Sequence, residues 1–181
     1  MASDALKPKR NWRRIRWIII GVTLATGLAF WLWLPNNGIA AARKFIRWHF
    51  DDIPHITPAK LTAWIADANR TTPLLWDIRR ADEFAVSHLP NAQRVPPETA
   101  EAELQKLLPA NGQPIVVYCA VGYRSAKMAQ RLRALGHTKV FNLEGAIFAW
   151  ASEGLPLAHG NKIHPYNAFG RRMLRDDLES R

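Results

Sequence analysis

The chain has 181 residues, which is enough for one globular domain with an appendage and too few for two full domains. Its formal net charge of +10 is typical of a nucleic-acid binder, but the excess lies mainly at the amino end: residues 1–16 carry six Lys/Arg against one Asp. From Ile53 onward 16 Lys/Arg oppose 12 Asp/Glu, so we expect no nucleic-acid partner. The single cysteine excludes an intrachain disulfide and leaves an unpaired thiol.

An uncharged run from Trp17 to Leu34 follows the basic amino end. Its length is at the short end of what crosses a hydrocarbon core of about 30 Å, and tryptophans lie near both of its edges. By the positive-inside rule we expect a transmembrane helix over 17–34, with residues 1–16 in the cytoplasm and the rest on the far, periplasmic-type side. The alternative is a signal peptide cleaved at Ala40–Ala42 and a secreted product, although the run exceeds the usual apolar core of about 7–15 residues.

Residues 35–53 are predicted to form a juxtamembrane linker. The linker begins with Pro35-Asn36-Asn37, which is expected to end the apolar run. From Ile39 to Phe50 the pattern is that of a short amphipathic helix. Such a helix lies either on the membrane surface or against the folded domain, and the sequence is compatible with both placements.

Alternating helix and strand patterns fill residues 54–158 and predict an α/β domain with a parallel sheet covered by helices on both faces. The first helix is expected to begin at Thr57-Pro58, with the threonine as N-cap. We expect strands at 74–78, from 95, around 115–118 and at 139–143, and further helices at 81–86, 98–108, from 125 to 135 and at 145–152. In such sheets ligands bind beyond the carboxyl ends of the strands. The tail 159–181 either wraps this domain or docks a partner.

Cys119 directly follows the buried-strand pattern Ile115–Tyr118, and a turn through Gly122 leads to the next helix, for which Ser125 is the predicted N-cap. Backbone N–H groups and the positive end of a helix dipole converge at such a turn. We therefore expect the pKa of the thiol to fall below that of a free cysteine, about 8.5. Arg124 adds a fixed positive charge. A buried structural cysteine is the alternative, but packing alone requires neither the glycine nor the arginine.

Three segments, in this order along the chain, resemble the rhodanese (sulfurtransferase) family in a membrane-anchored, single-domain form. They are Leu75–Arg79 with Glu83-Phe84 and His88–Ala92; the loop Cys119–Ser125; and Asn142–Ala146 with Trp150 and Gly154–Pro156. Two positions depart from the family pattern, since Ser87 stands where a glycine is common and Glu144 replaces the first residue of a glycine pair. The resemblance implies a rhodanese-like α/β fold.

The resemblance further implies a thiosulfate-type sulfurtransferase. Its catalytic residue would be Cys119, which takes a sulfane sulfur from a small donor as a persulfide and passes it to a thiol or to cyanide. The backbone amides of the loop would bind the charged sulfur. The loop residues are Ala120, Val121, Gly122, Tyr123 and Arg124. Val121 and Tyr123 are expected to shape the mouth of the site, and Arg124 to close the anion cradle.

Three more residues are expected to support the site. Asp77 and Arg79 match acidic and basic residues of the first family segment, and a structural ion pair that braces the loop is favoured over a direct role. Ser125 follows the loop. His88 is expected to be a hydrogen-bonded core histidine rather than a catalytic group. We expect no cofactor and no metal, because the six histidines show no metal-ligand spacing.

Two other functions remain open. A non-enzymatic rhodanese-like module would bind a sulfur carrier, an anion or a protein partner of unknown identity, without turnover; the intact Cys119 and Arg124 favour the enzyme. A phosphatase or arsenate reductase is disfavoured, because the resemblance implies that those enzymes have a loop one residue longer than Cys119–Arg124. Removing a residue shortens the reach of a loop by up to about 3.5 Å, so fewer amides surround an oxyanion.

Overall fold

The computed structural model describes residues 11–180, apart from the side chain of Asn36. The chain divides into two compact units, 1–34 and 35–181. In the first unit the described residues from Trp12 on are helical. The stretch Trp12–Pro35 is 24 residues long and contains an 18-residue window with a mean hydropathy of 1.9, enough to cross a membrane by length and composition. A signal sequence near an amino terminus has the same properties, so both predictions for this segment stand.

Helix α1 runs without interruption from Trp12 to His49, and Pro35 lies inside it. The helix therefore continues past Pro35-Asn36-Asn37, where the apolar run ends, and the transmembrane span over 17–34 stays a prediction. A proline in a helix interior costs about 3 kcal/mol, so the local sequence predicts that a helix ends there. The part of the helix after the proline is stabilised by packing that the local sequence does not show, because Ile46 is buried in the second unit.

The second unit is built on one parallel sheet. In its described residues five strands lie in the order β1-β5-β4-β2-β3. The strands are β1 His55–Ile56, β2 Leu74–Asp77, β3 Gln93–Arg94, β4 Ile115–Tyr118 and β5 Val140–Leu143. The central strand β4 pairs with β2 and β5, and all four of its residues are buried, as expected for an apolar strand inside a parallel sheet.

Helices alternate with these strands. They are α2 Pro58–Ala66, α3 Ala81–Val86, α4 Glu101–Leu107, α5 Tyr123–Ala134, α6 Ala146–Ser152 and α7 Ala168–Met173, with a 3-10 turn at Asp176–Leu178. The start of α2 is as predicted, since the Thr57 side chain accepts a hydrogen bond from the backbone N–H of Lys60. The predicted α/β fold with a parallel sheet is confirmed, although β3 lies before residue 95 and α4 begins three residues later than expected.

The end of α1 and the residues after it are part of the hydrophobic core of the second unit. Ile46, Phe50 and Ile53 are each at most 4% exposed and belong to the same buried cluster as Trp76 and Val117. Of the two placements that the amphipathic pattern allows, the structure shows packing against the domain.

Ion pairs and a close backbone approach hold the same segment in place. Arg43 pairs with Glu153 at 2.8 Å, and Arg47 pairs with Glu144. At Gly145, which has a φ of +67°, a β-carbon would lie 2.6 Å from Nε of Arg43. Gly145 thus allows the left-handed turn before α6 and leaves the space in which α1 passes close to it.

The tail wraps the domain. Ile163, Met173 and Leu174 are buried, and Ile163 forms a β-bridge with Glu179. The tail therefore adds apolar side chains to the core instead of projecting from it.

A fragment that begins at Pro54 is expected to be several kcal/mol less stable than one that begins at Pro35. The shorter fragment lacks Ile46, Phe50 and Ile53, and full burial of one such side chain contributes about 1.5–3 kcal/mol. Urea denaturation of both purified fragments, followed by far-ultraviolet circular dichroism, measures the difference. Equal midpoints and slopes would show that a domain beginning at residue 54 folds without the preceding segment; the predicted bounds 54–158 stay a prediction.

Candidate active site

Cys119 lies at the carboxyl edge of the sheet, directly after the central strand, and is 1% exposed. The first turn of α6 holds the backbone around it. The N–H of Ile147 donates to the carbonyl oxygen of Cys119 at 3.2 Å, and the N–H of Phe148 donates to that of Ala120 at 3.1 Å. The cysteine therefore occupies the edge at which parallel α/β sheets bind their ligands.

Gly122 turns the chain back over the sulfur. Its φ of +113° is a conformation that glycine adopts at little cost. In this turn the backbone N–H of Gly122 donates to Sγ of Cys119 at 3.2 Å, while its carbonyl oxygen accepts from Nδ2 of Asn142 at 3.1 Å. One of the loop amides thus points at the sulfur, and the carbonyl group of the same residue, in the next peptide group, is tied to β5.

Helix α5 begins at Tyr123 with Gly122 as its N-cap, so the prediction that Ser125 caps this helix is wrong. The left-handed glycine turns the chain directly into the helix, which places Ser125 inside the first turn. Its hydroxyl lies 3.6 Å from Sγ of Cys119 and donates to Oδ1 of Asn142 at 2.7 Å. Ser125 lies at the sulfur, but for a different reason from the predicted one.

Asn142 is a site residue that sequence reasoning missed. Its side chain is fully buried on β5 and connects Gly122, Ser125 and, at 3.4 Å, Nδ1 of His55. Such a polar residue in a short apolar strand was the available signal, because a buried amide needs several hydrogen-bond partners.

Arg124, the last residue of the predicted loop, lies in the first turn of α5, and its guanidinium is held on two sides. Nη1 and Nη2 donate to the two carboxylate oxygens of Glu83 at 2.9 and 2.8 Å, and the ring of Tyr166 covers one face, with its centroid 4.3 Å from Cζ. Burial by itself lowers the pKa of Arg124, but the hydrogen bonds to Glu83 and the neighbouring Cys119 sulfur raise it above the usual value. The predicted cation of the loop is therefore charged, and a buried carboxylate matches its charge.

Asp77 and Arg79 form the predicted ion pair, and both side chains are fully buried. The guanidinium donates to the carboxylate through Nε and Nη2, and Nη2 also donates to the carbonyl oxygen of Ser87 at 2.6 Å. The pair ties the end of β2 to the segment after α3.

Tyr123 extends the site towards the end of α1. Its half-buried ring meets the ring of Phe50 edge-on at 5.3 Å, and Nζ of Lys127 lies 5.0 Å from its centroid. Val121 beside it is also half-buried. The expected roles of these two residues at the mouth of the site stay predictions.

His88 is not part of this arrangement. Nδ1 of His88 lies 3.1 Å from the carbonyl oxygen of Phe84, and its ring stacks on that of Phe84 at 3.8 Å, which confirms a hydrogen-bonded, largely buried histidine. Within residues 11–180, no group of three or more His, Cys, Asp or Glu side chains is placed to hold a metal ion.

Replacing Glu83 by Gln is expected to lower stability at neutral pH by about 3 kcal/mol, near the cost of breaking a buried ion pair. Burial raises the pKa of Glu83, but Arg124 lowers it further, so the net pKa lies below the usual 4.5. Because the unfolded chain binds a proton first as the pH falls, the carboxylate contributes its stability above pH 4.5 and loses it as the pH drops through the folded pKa.

Denaturant titrations of wild type and the Glu83→Gln variant between pH 3 and 7 test this expectation. The gap in unfolding free energy between the two proteins should narrow on the acid side of about pH 4.5. A gap that stays constant with pH would mean that the carboxylate is not held ionised by Arg124. Glu98→Gln, a change in another acidic residue, serves as the matched control.

Comparisons with known proteins place these residues in a wider context. The profile of the Rhodanese-like domain family matches residues 57–153. A sulfurtransferase of Allochromatium vinosum is 34% identical over 84 residues, which are 46% of this chain and 77% of that protein. A tRNA uridine(34) hydroxylase of Cronobacter sakazakii is 30% identical over 110 residues, 56% of this chain but only 32% of that protein.

A solved structure shows the same fold. The rhodanese-related protein from Thermoplasma volcanium superposes with a TM-score of 0.51 at 26% identity and covers 59% of this chain and 99% of its own. The family match ends at residue 153, so the tail that carries Tyr166 lies outside it, as does the end of α1.

Proposed function

The chain belongs to the rhodanese-like domain family, and from that premise we propose that it is a thiosulfate-type sulfurtransferase with Cys119 as its nucleophile. The observation that carries the proposal is the surroundings of the sulfur. A backbone N–H lies 3.2 Å from the sulfur, and α5, whose positive end faces the loop, begins four residues later. These groups stabilise negative charge on sulfur, which a packing cysteine does not need.

The reaction would take place in two displacements. The Cys119 thiolate attacks the outer sulfur of thiosulfate, the sulfur–sulfur bond of the donor breaks, and sulfite leaves with the electron pair. Cyanide or a thiolate then attacks the outer sulfur of the Cys119 persulfide, and the cysteine thiolate leaves. The N–H of Gly122 and the other loop amides would bear the negative charge on sulfur in both steps.

Replacing Cys119 by Ser is expected to abolish transfer of sulfur from thiosulfate to cyanide, because the hydroxyl is neither ionised nor able to form a persulfide. Thiocyanate formation measures turnover, and an unchanged melting temperature shows that the fold is kept. Wild type treated with thiosulfate should gain about 32 Da, one sulfur atom, on the Cys119 peptide only. Undiminished turnover in the Ser variant would contradict the proposal.

The same pair of proteins separates two alternatives. The burial of Cys119, 1% exposed, favours a binding module without turnover, and that reading predicts neither thiocyanate nor the persulfide adduct in wild type. Hydrolysis of aryl phosphate that is lost in the Ser variant would instead indicate a phosphatase and refute the argument from loop length.

We further propose that residues 17–34 are a retained anchor, with residues 1–16 in the cytoplasm and the domain on the far side of the membrane. The support is the apolar run Trp17–Leu34, which lies within the candidate span Trp12–Pro35, together with the excess of Lys/Arg in residues 1–16. The domain would then meet its sulfur donor and acceptor outside the cytoplasm.

Protease added to intact spheroplasts is expected to digest the domain, as followed with an antibody against the tail. A cytoplasmic protein probed in the same samples controls for lysis. If the domain is protected from the protease until the membrane is broken, the domain lies in the cytoplasm and the proposed orientation is wrong. A mature chain that begins near Arg43 would replace the anchor by a cleaved signal.

A further inference from the structure

Tyr166 of the C-terminal tail lies against the guanidinium of Arg124 in the proposed site. The ring centroid of Tyr166 lies 4.3 Å from Cζ of Arg124 and 5.4 Å from Cζ of Arg80. Glu83 occupies one edge of the Arg124 guanidinium, so the ring and the carboxylate together fix its plane and its position. Tyr166 itself is 40% exposed, which is more than a ring that only fills the core would be.

The turn that presents Tyr166 is held in an unfavourable conformation. Its φ is +68°, a region that residues with a β-carbon rarely adopt and that persists only where surrounding contacts impose it. The N–H of Tyr166 donates to Nδ1 of His164 at 3.0 Å. Gly170 passes so close that a β-carbon there would lie 2.1 Å from the carbonyl oxygen of Pro165. The lack of a side chain at Gly170 is therefore a condition for this turn.

We propose that Tyr166 is a positioning residue of the sulfur-transfer site, which holds the Arg124 guanidinium where its charge acts on the Cys119 sulfur and on an anionic donor. The inference rests on the proposed function and adds to it a residue from outside the family match. The negative face of the ring attracts the guanidinium and shields it from water, so the charge stays in one place. Without the ring, Arg124 is more hydrated and its field at the mouth is weaker.

Tyr166→Leu keeps apolar bulk and removes the aromatic face, whereas Tyr166→Phe keeps the face and removes the hydroxyl. In the full-length protein in detergent micelles, the Leu variant is expected to lose about three- to tenfold in kcat/KM for thiosulfate, mostly through a higher KM. The Phe variant should stay within about twofold of wild type. The Leu variant should lose less with an uncharged organic polysulfide as the donor, because the field of Arg124 attracts only a charged one.

Two variants on α7 test whether the position of the ring is what matters. Gly170→Ala leaves Tyr166 in the sequence but displaces its turn, so it should reproduce the loss seen with Leu. Phe169→Ala deletes an exposed ring, 48% accessible, on the same helix and should leave turnover unchanged. Melting temperatures of all the variants show that the fold is retained.

A readout without sulfur transfer keeps this inference separate from the proposed function. The rates at which anionic iodoacetate and neutral iodoacetamide alkylate Cys119 are compared at low ionic strength. The rate with iodoacetate divided by the rate with iodoacetamide should fall about threefold or more in Tyr166→Leu. It should stay unchanged in Tyr166→Phe and Phe169→Ala.

An unchanged ratio together with unchanged kcat/KM in a folded Leu variant would overturn the role of Tyr166. A wild type without turnover but with the expected change in ratio would overturn the proposed function and leave the positioning role of Tyr166 intact.

Discussion

The turn at Gly122 is the constraint on which the rest of the site depends. The chain must leave a fully buried central strand and enter a helix after only a few residues, and a left-handed φ at Gly122 makes this possible. Because the turn is so tight, the amide of Gly122 faces the sulfur of Cys119 and the positive end of α5 lies beside the loop. Asn142 fixes the outer side of the turn, and Ile46 of α1 lies within 3.5 Å of where a β-carbon of Gly122 would be.

Two buried carboxylates organise the surroundings of that turn. Asp77 and Glu83 are both fully buried, and each is paired with an arginine. Such pairs contribute little net stability over apolar residues, but loss of one partner leaves an uncompensated charge in the interior. Their effect is therefore on geometry: each carboxylate accepts only one arrangement of its guanidinium, and the segments that carry them are held in register with the loop.

Much of the domain could be predicted because local signals and tertiary structure agree there. The apolar run Ile115–Tyr118 became the central strand, and Thr57-Pro58 began a helix in the expected way. The position of Cys119 at the sheet edge followed from the alternation of elements alone. The ion pair of Asp77 with Arg79 was also predicted, since its two residues are close in sequence.

The errors arose where the backbone conformation of a neighbour, or contacts with distant residues, decide the outcome. Ser125 has a side chain that commonly caps helices, but the conformation of Gly122 started the helix earlier. Pro35 is a local stop signal, and α1 continues through it. Asn142 and Tyr166 reach the site only through the fold, 17 residues from Ser125 in one case and from the far end of the chain in the other. The sequence can mark Asn142 as a buried polar residue, but it does not say which distant groups either residue contacts.

The strand order also determines when the domain can fold during its synthesis. Among the described residues the edge strand β1 pairs only with β5, and the contact between His55 and Asn142 spans 87 positions. The sheet therefore cannot close until nearly the whole domain has left the ribosome, and contacts so far apart in sequence make folding slow. During that interval Ile46, Phe50 and Ile53, made first, lack their partners in the core. The nascent chain thus exposes an apolar segment until its last strand arrives, a period in which a chaperone would find a ready binding site.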